Sequence, residues 1–252
     1  MKLKIQSLND YAIIGDVHSS YDKLKSMIDV LSNKGINKFV FVGDIIDRGP
    51  NPNEVVDFIY NLQDKIVLHG NHDNKLIRYY NGNKVTLGKE ATITDESLTQ
   101  ENKDKFIQLF KDDYFCCYDP VLKIFISHAA ASRPLKILNE IVANYQKEFI
   151  YNSYDLFWLI KQSEVNVPKW LALKMLYGIT NGDTINGKPI RLPISKGISD
   201  DLEGFTYIFG HIHSNTLYPE ETKRVICIDH CCGEENGKLC SIIIKNMETI
   251  FI

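Results

Sequence analysis

No stretch of this 252-residue chain approaches the roughly 20 consecutive apolar residues that span a bilayer, which argues against a helical membrane protein. The first ten residues carry two lysines and no apolar signal-peptide core, so the expectation is a soluble, cytoplasmic protein without membrane partners. Basic excess is also missing: a net charge of −3 and a pI near 6.2 exclude a broad surface for sequence-independent binding to long nucleic acid. A local basic patch stays open. None of the six cysteines has the two-residue spacing of a zinc knuckle: they fall at Cys116-Cys117, Cys231-Cys232, Cys227 and Cys240. Reduced, mostly buried thiols are expected. There is no internal repeat and no low-complexity segment. An apolar content of 44% suits one globular domain over residues 1–252.

The order of elements supplies the fold class. Tyr11 to Ile14 is a short apolar run ending at Gly15, and Leu24, Met27, Ile28 and Leu31 follow on one helical face, with Ser20 as the expected cap and Gly35 as the stop. The pattern repeats with a strand at Lys38 to Val42, a helix starting at Asn51-Pro52, and a strand at Ile66 to Leu68. Strand and helix alternating this closely imply right-handed crossovers and a parallel sheet, whose ligands lie beyond the carboxyl ends of the strands. Residues 81–111 read as polar and helical with a loop. Further strands are expected at 123–127, 205–209, 225–228, 239–245 and 249–252, the last two as a hairpin. Residues 134–178 hold many aromatics at roughly helical spacing; a helical cap over the site and helices packed on the core are both open.

Polar residues stand just past the strands. Gly15-Asp16-Val17-His18 follows the first, Gly43-Asp44-Ile45-Ile46-Asp47-Arg48-Gly49 the second, and Gly70-Asn71-His72-Asp73 the third; later strands end in Ser127-His128 and Gly210-His211-Ile212-His213. A lone Gly-Asp is commonly a turn, and a lone buried histidine is more often a hydrogen-bonded core residue. Five such blocks converging from strand ends point instead to a two-metal site, with Asp44 as the bridging carboxylate. Carboxylate, imidazole and amide oxygen together suit manganese, iron, cobalt, nickel or zinc better than calcium or magnesium alone.

In these blocks the chain resembles the calcineurin-like metallophosphoesterases. The resemblance implies a four-layer αββα sandwich of two mixed β-sheets and two divalent metal ions, manganese first among them. Carried over block by block, it makes Asp16 and His18 ligands of the first metal, Asp44 the bridge, and Asn71, His128 and His211 ligands of the second. It leaves His72 free of metal, paired with Asp47 and acting near the leaving oxygen. Arg48, in the same block as Asp47, has the planar fork that grips two phosphate oxygens.

Some positions depart from the family pattern. His213 is the favoured extra ligand of the first metal, with Asp229 the other candidate, since the Ile-Asp-Thr-Gly element of related branches is altered here to Ile228-Asp229-His230-Cys231. Ser19 and Ser20 follow His18 where His-Gly is usual. His69 stands where protein phosphatases carry a phosphate-binding Arg.

The stretches Gly70 to Val85 and Tyr177 to Pro193 are similar to the bacterial polynucleotide kinase-phosphatase module and to dinucleoside-tetraphosphatase-like enzymes, which makes Lys75, Arg78 and Arg191 candidates for a second phosphate. The implied substrates are nucleotides, dinucleoside polyphosphates or RNA ends. A serine/threonine or tyrosine phosphoprotein phosphatase is the alternative, and a non-catalytic scaffold binding partner proteins a minor one.

Overall fold

The computed structural model describes residues 1–130, 164–167, 169–178, 180–185, 188–191, 206–212 and 224–252. In chain order, β1 (Lys2–Ile5) and β2 (Tyr11–Ile14) lead into α1 (Tyr21–Asn33), β3 (Lys38–Phe41), α2 (Pro52–Asn61) and β4 (Asp64–Val67). Three helices follow, α3 (Asn71–Tyr80), α4 (Lys89–Ser97) and α5 (Gln100–Leu109), and then β5 (Tyr114–Asp119) and β6 (Ile124–Ser127). Next come β7 (Glu164–Asn166), α6 (Lys169–Tyr177) and the pair β8 (Thr180–Ile185) and β9 (Lys188–Arg191). The chain closes with β10 (Thr206–Phe209), β11 (Arg224–Cys227), β12 (Asp229–His230), β13 (Lys238–Ile243) and β14 (Glu248–Phe251).

Two mixed sheets result. One runs β11-β10-β6-β5-β1-β7, and the other runs β12-β13-β2-β3-β4 with β14 beside β13. The βαβ crossovers expected from the sequence are present, since β2, β3 and β4 are parallel neighbours.

Side chains alternate across each strand with period two, and the apolar ones sort into three zones accordingly. Ala12, Ile14, Phe39, Phe41 and Val67 face α1 and α2, while Ile13, Val40, Ile66 and Leu68 face the other sheet. From that other sheet Ile124, Ile126 and Ile208 meet them, whereas Phe125, Tyr207 and Phe209 point outward to Ala172, Met175 and Leu176 of α6. Helix, sheet, sheet, helix is thus the order of layers, as expected. Each such fully buried aliphatic side chain contributes roughly 1.5–3 kcal/mol relative to an exposed one.

The structure amends the sequence reading locally. Ser20 holds the position before α1, but its hydroxyl turns to the carbonyl oxygens of His18 and Cys232, so the expected side-chain cap is not made. Gly35, at φ 79°, does end the helix. Of the segment 134–178, read from the sequence as a cap or as helices packed on the core, residues 134–163 and 168 lie outside the described residues. The part beyond them packs inward: β7 pairs with β1, and α6 buries Ala172, Met175 and Leu176 in the core. All six cysteines are free thiols, five of them buried. Among the described residues no helix is long and apolar enough to cross a membrane.

Candidate metal centre

Both sheets aim their carboxyl ends at one place. Asp16 and His18 follow β2, Asp44 follows β3, Asn71 opens α3 after β4, His128 follows β6, and His211 follows β10. The loops are tightly wound there, for His18, Ser19, Asp44, Asp47, Arg48 and His211 all have φ between 47° and 69°. Non-glycine residues seldom adopt that left-handed region, and its cost is borne when the surroundings over-determine the backbone. The surroundings do so here. His18 N–H donates to Asp44 O at 2.9 Å, and Gly210 N–H donates to His128 O at 2.8 Å. The buried Asp73 carboxylate accepts from the backbone N–H groups of Asp44, Ile45 and Gly70 at 2.6, 3.1 and 3.1 Å. Gly43, at φ 107°, lies where any Cβ would collide with the backbone of Gly70, so the two loops touch only because that side chain is absent.

Two groups of ligand-type atoms share one member. Asp16, His18 and Asp44 form the first, and Asp44, His128 and His211 the second; all are buried, and the atoms of each group lie within 4.8 Å of one another. Asn71 joins the second group, its Oδ1 lying 3.0 Å from His128 Nε2. That same nitrogen is 3.0 Å from His211 Nδ1 and 3.4 Å from Asp44 Oδ2. One imidazole proton cannot serve three acceptors. A cation accepting lone pairs from all of them can, so the donor set fits a divalent ion in each group. His18 is fixed for the same use: its Nδ1 donates to Ile46 O at 2.9 Å, which leaves the lone pair of Nε2 toward Asp44.

The charges agree with that fit. Burial, followed by the charges of Asp229 and Asp44, pushes the Asp16 carboxyl well above its usual range, the sign of a dry site crowded with anions. Burial alone would raise Asp44 too, but the imidazoles of His128, His72 and His18 outweigh it and hold that carboxyl well below the usual range. Burial also lowers His18 against the opposing pull of Asp44, favouring the neutral imidazole that metals bind.

Beside the two groups stands a pair without a place in either. His72 Nδ1 lies 2.6 Å from Asp47 Oδ2, and its Nε2 faces Asp44 at 4.0 Å. Burial would lower the His72 pKa, but the charge of Asp44 and the hydrogen bond and charge of Asp47 push it up to about 9. Cations on Asp44 would cancel that carboxylate's share, leaving Asp47 as the group that sustains the rise. Arg48 lies along the rim, its Nε 4.0 Å from Glu90. A cavity of about 570 Å³ opens beside His72, and Lys75, Arg78 and Lys89 line it together with Tyr177.

Of the residues singled out from the sequence, Asp16, His18, Asp44, Asp47, Asn71, His72, His128 and His211 therefore come together, with Arg48 at their edge. Asp229 is buried beside Asp16. His213 lies outside the described residues, and so does the side chain of Arg191 on β9. His69 is buried between Phe110 and Phe115, its Nε2 3.2 Å from Asp113, so that position offers no phosphate contact.

Two contributors escaped the sequence reading. Asp73, in the third block, is not a ligand the motif marks, yet its carboxylate ties the Asp44 and Gly70 loops together. Thr94, on α4, has a buried hydroxyl that donates to Asp47 Oδ1 at 2.6 Å, and nothing local in the sequence marks it.

A family profile described as calcineurin-like phosphoesterase matches residues 11–215, which span every block except Asp229. The chain belongs to that family. As a calcineurin-like phosphoesterase it is a metal-dependent hydrolase of phosphate ester or anhydride bonds, in keeping with the two groups that could hold cations. Among its relatives is the asymmetrical bis(5'-nucleosyl)-tetraphosphatase PrpE of Oceanobacillus iheyensis, 35% identical over 240 residues that cover 87% of this chain and 83% of the relative. A symmetrical bis(5'-nucleosyl)-tetraphosphatase of Buchnera aphidicola is 26% identical over 169 residues, 61% of each chain. A solved structure provisionally named a diadenosine tetraphosphatase superposes with a TM-score of 0.65 at 17% identity, covering 100% of this chain and 97% of the other. A cold-active protein tyrosine phosphatase superposes with a TM-score of 0.54 at 14% identity, covering 99% and 80%. At these identities the two structures attest the fold alone.

Proposed function

We propose that this phosphoesterase hydrolyses dinucleoside polyphosphates at a dinuclear centre held by Asp16, His18, Asp44, Asn71, His128 and His211. The observation that carries the reading is the continuity of the Asp44-centred groups with a cationic pocket lined by Lys75, Arg78 and Lys89. A substrate with several linked phosphates fills both, whereas a phosphoserine peptide has a phosphate for the first only. The relatives named for dinucleoside tetraphosphates support the same class. The phosphoprotein alternative rests on a likeness of fold, and fold does not carry function. A non-catalytic scaffold accords poorly with a site in which both groups and the Asp47–His72 pair are complete.

Bound there, two divalent cations supply Lewis acidity and a water acidic enough to act as nucleophile near neutral pH. Mixed nitrogen and oxygen donors suit manganese, iron, zinc, nickel or cobalt, and the family resemblance puts manganese first. Arg48 orients the attacked phosphate through its non-bridging oxygens. Asp47 accepts from His72 Nδ1, which leaves Nε2 to give a proton to the departing oxygen. Six free thiols accord with a reducing compartment, and we place the enzyme in the cytoplasm.

The test is a panel of diadenosine tetraphosphate, cyclic-phosphate RNA ends and phosphopeptides, run before and after chelation and again with added manganese. Diadenosine tetraphosphate should be preferred, lost on chelation and regained with metal. Preference for a phosphopeptide would reverse the substrate assignment, and full turnover by metal-free protein would remove the mechanism.

Thr94 extends the catalytic pair. With Oδ1 held by Thr94 and Oδ2 by His72, both oxygens of Asp47 are fixed and the plane of its carboxylate is set. Thr94→Val keeps the shape and removes the donor, and should lower kcat by about 10- to 100-fold, as loss of an orienting partner commonly does. Thr94→Ser should recover most of it. Equal activity of the valine and serine variants would show that the hydroxyl is only structural.

A further inference from the structure

Two of the places where the chain departs from the family pattern meet in space. Ser20, just past the first block, and Cys232, just past Asp229, are 212 positions apart, and the Ser20 hydroxyl donates to Cys232 O at 3.0 Å. Lys23 Nζ donates to the same carbonyl at 2.9 Å and to Gly237 O at 2.6 Å. One ammonium thus joins the two ends of the loop between β12 and β13, residues 231–237, and ties both to α1. Lys23 stands in the first turn of α1, where a cation opposes the helix dipole. The two carbonyls account for it there, since hydrogen bonds from a charged donor are among the strong ones.

The start of the loop has anchors besides Lys23. Cys231 N–H donates to Asp229 Oδ1 at 2.9 Å, and Cys232 is buried in the core cluster that holds Leu24 and Met27. Residues 234–236 are exposed, and Lys23 draws the far end back at Gly237.

The inner face of the loop touches the site. A Cβ added to Gly233 would lie 2.6 Å from the Cβ of His18 and 2.9 Å from the Cβ of Arg48, so its backbone packs directly on both. His18 has tethers of its own, its N–H to Asp44 O and its Nδ1 to Ile46 O. Arg48 leaves a left-handed backbone, at φ 64°, with Gly233 as the surface against its Cβ.

Resting on the assignment of Arg48 to the attacked phosphate, we propose that Lys23 is a positioning residue for phosphate binding: it clamps the 231–237 loop so that Gly233 fixes the direction in which Arg48 presents its guanidinium. The Lys23 ammonium is committed to two carbonyls and acts through the loop. Arg48 grips the phosphate in the ground state and the transition state alike, so a loosened clamp weakens binding and spares the chemical step.

The experiment is a double-mutant cycle between Lys23→Met and Arg48→Ala in the manganese-loaded full chain, with 4-nitrophenyl phosphate as substrate and inorganic phosphate as inhibitor. Lys23→Met keeps an apolar stem and removes the donor. It should raise KM and the phosphate inhibition constant by about tenfold, with kcat within about threefold of the parent and metal content unchanged. Lys23→Arg should recover most of the loss. In the Arg48→Ala background, Lys23→Met should alter KM by less than about twofold, because the group it acts through is gone. Equal effects in both backgrounds would make Lys23 merely structural, and a fall in kcat at constant KM, or a loss of metal, would also overturn the proposal. Should Lys23→Met fail to fold, Ser20→Ala removes the other donor to Cys232 O and carries the same cycle, with a rise in KM of about threefold expected. If Arg48→Ala alone leaves KM and phosphate inhibition at parental values, the phosphate role of Arg48 fails and this inference with it. If Arg48→Ala raises both and the clamp variant raises neither, only the inference fails.

Discussion

Asp44→Asn should lower turnover by at least about 10³-fold, a loss of roughly 4 kcal/mol of transition-state stabilisation, while the protein stays folded. Asp44 is the one residue shared by both ligand groups, so removing its charge weakens two cation positions at once. Asparagine keeps an oxygen to accept from the backbone N–H of His72, now 2.9 Å from Asp44 Oδ1. It relieves the crowding that drives Asp16 upward, but it also forfeits the attraction of His128, His72 and His18 that holds the Asp44 carboxyl low, so the metal-free variant should melt somewhat below the metal-free parent. The checks are metal content by elemental analysis, thermal melting with and without metal, and turnover. A variant that holds two equivalents of metal and turns over normally would deny Asp44 the bridging position.

His72→Ala should separate chemistry from metal binding. Neither of the two Asp44-containing groups includes His72, and Asp47 holds its ring from the opposite side, so metal content should stay near that of the parent. Turnover of phenyl phosphate, whose leaving oxygen needs a proton, should fall by about 10²- to 10⁴-fold, the range for a positioned general acid. With 4-nitrophenyl phosphate, a far better leaving group, the loss should be distinctly smaller. Equal losses on both esters would make His72 an electrostatic stabiliser instead of a proton donor, and loss of metal would make it a ligand.

The strand-end blocks were legible because each combines a short apolar run with a glycine and a metal-binding side chain. Asp16, Asp44 and Asn71 needed no knowledge of their partners to be noticed. Hidden elements were those whose signal is not local. β5 is buried on both faces between β1 and β6, so Tyr114 to Asp119 shows no alternation and few β-branched residues. The pairing of β8 with β9 brackets Asn186-Gly187, a dipeptide that often marks hairpins. Ser20 misled because capping residues are recognised by type, whereas its hydroxyl is claimed by Cys232, more than two hundred residues away.

By itself the sequence determined the family, the layered αββα class and the inventory of ligand-type residues, since these depend on residue chemistry and on periodicities of two and 3.6 that are written locally. Only the tertiary structure decided which of them meet. His128 and His211, from one sheet, reach Asp44, from the other, through loops in left-handed backbone that packing holds in place. Thr94 reaches Asp47 across 47 positions of sequence, and the cationic wall of the pocket forms because α4 returns against α3. Hydrogen bonds and Coulombic forces act over a few ångströms in space, whatever the separation along the chain, so a motif can name a ligand while the fold alone supplies its partners and the side from which a substrate enters.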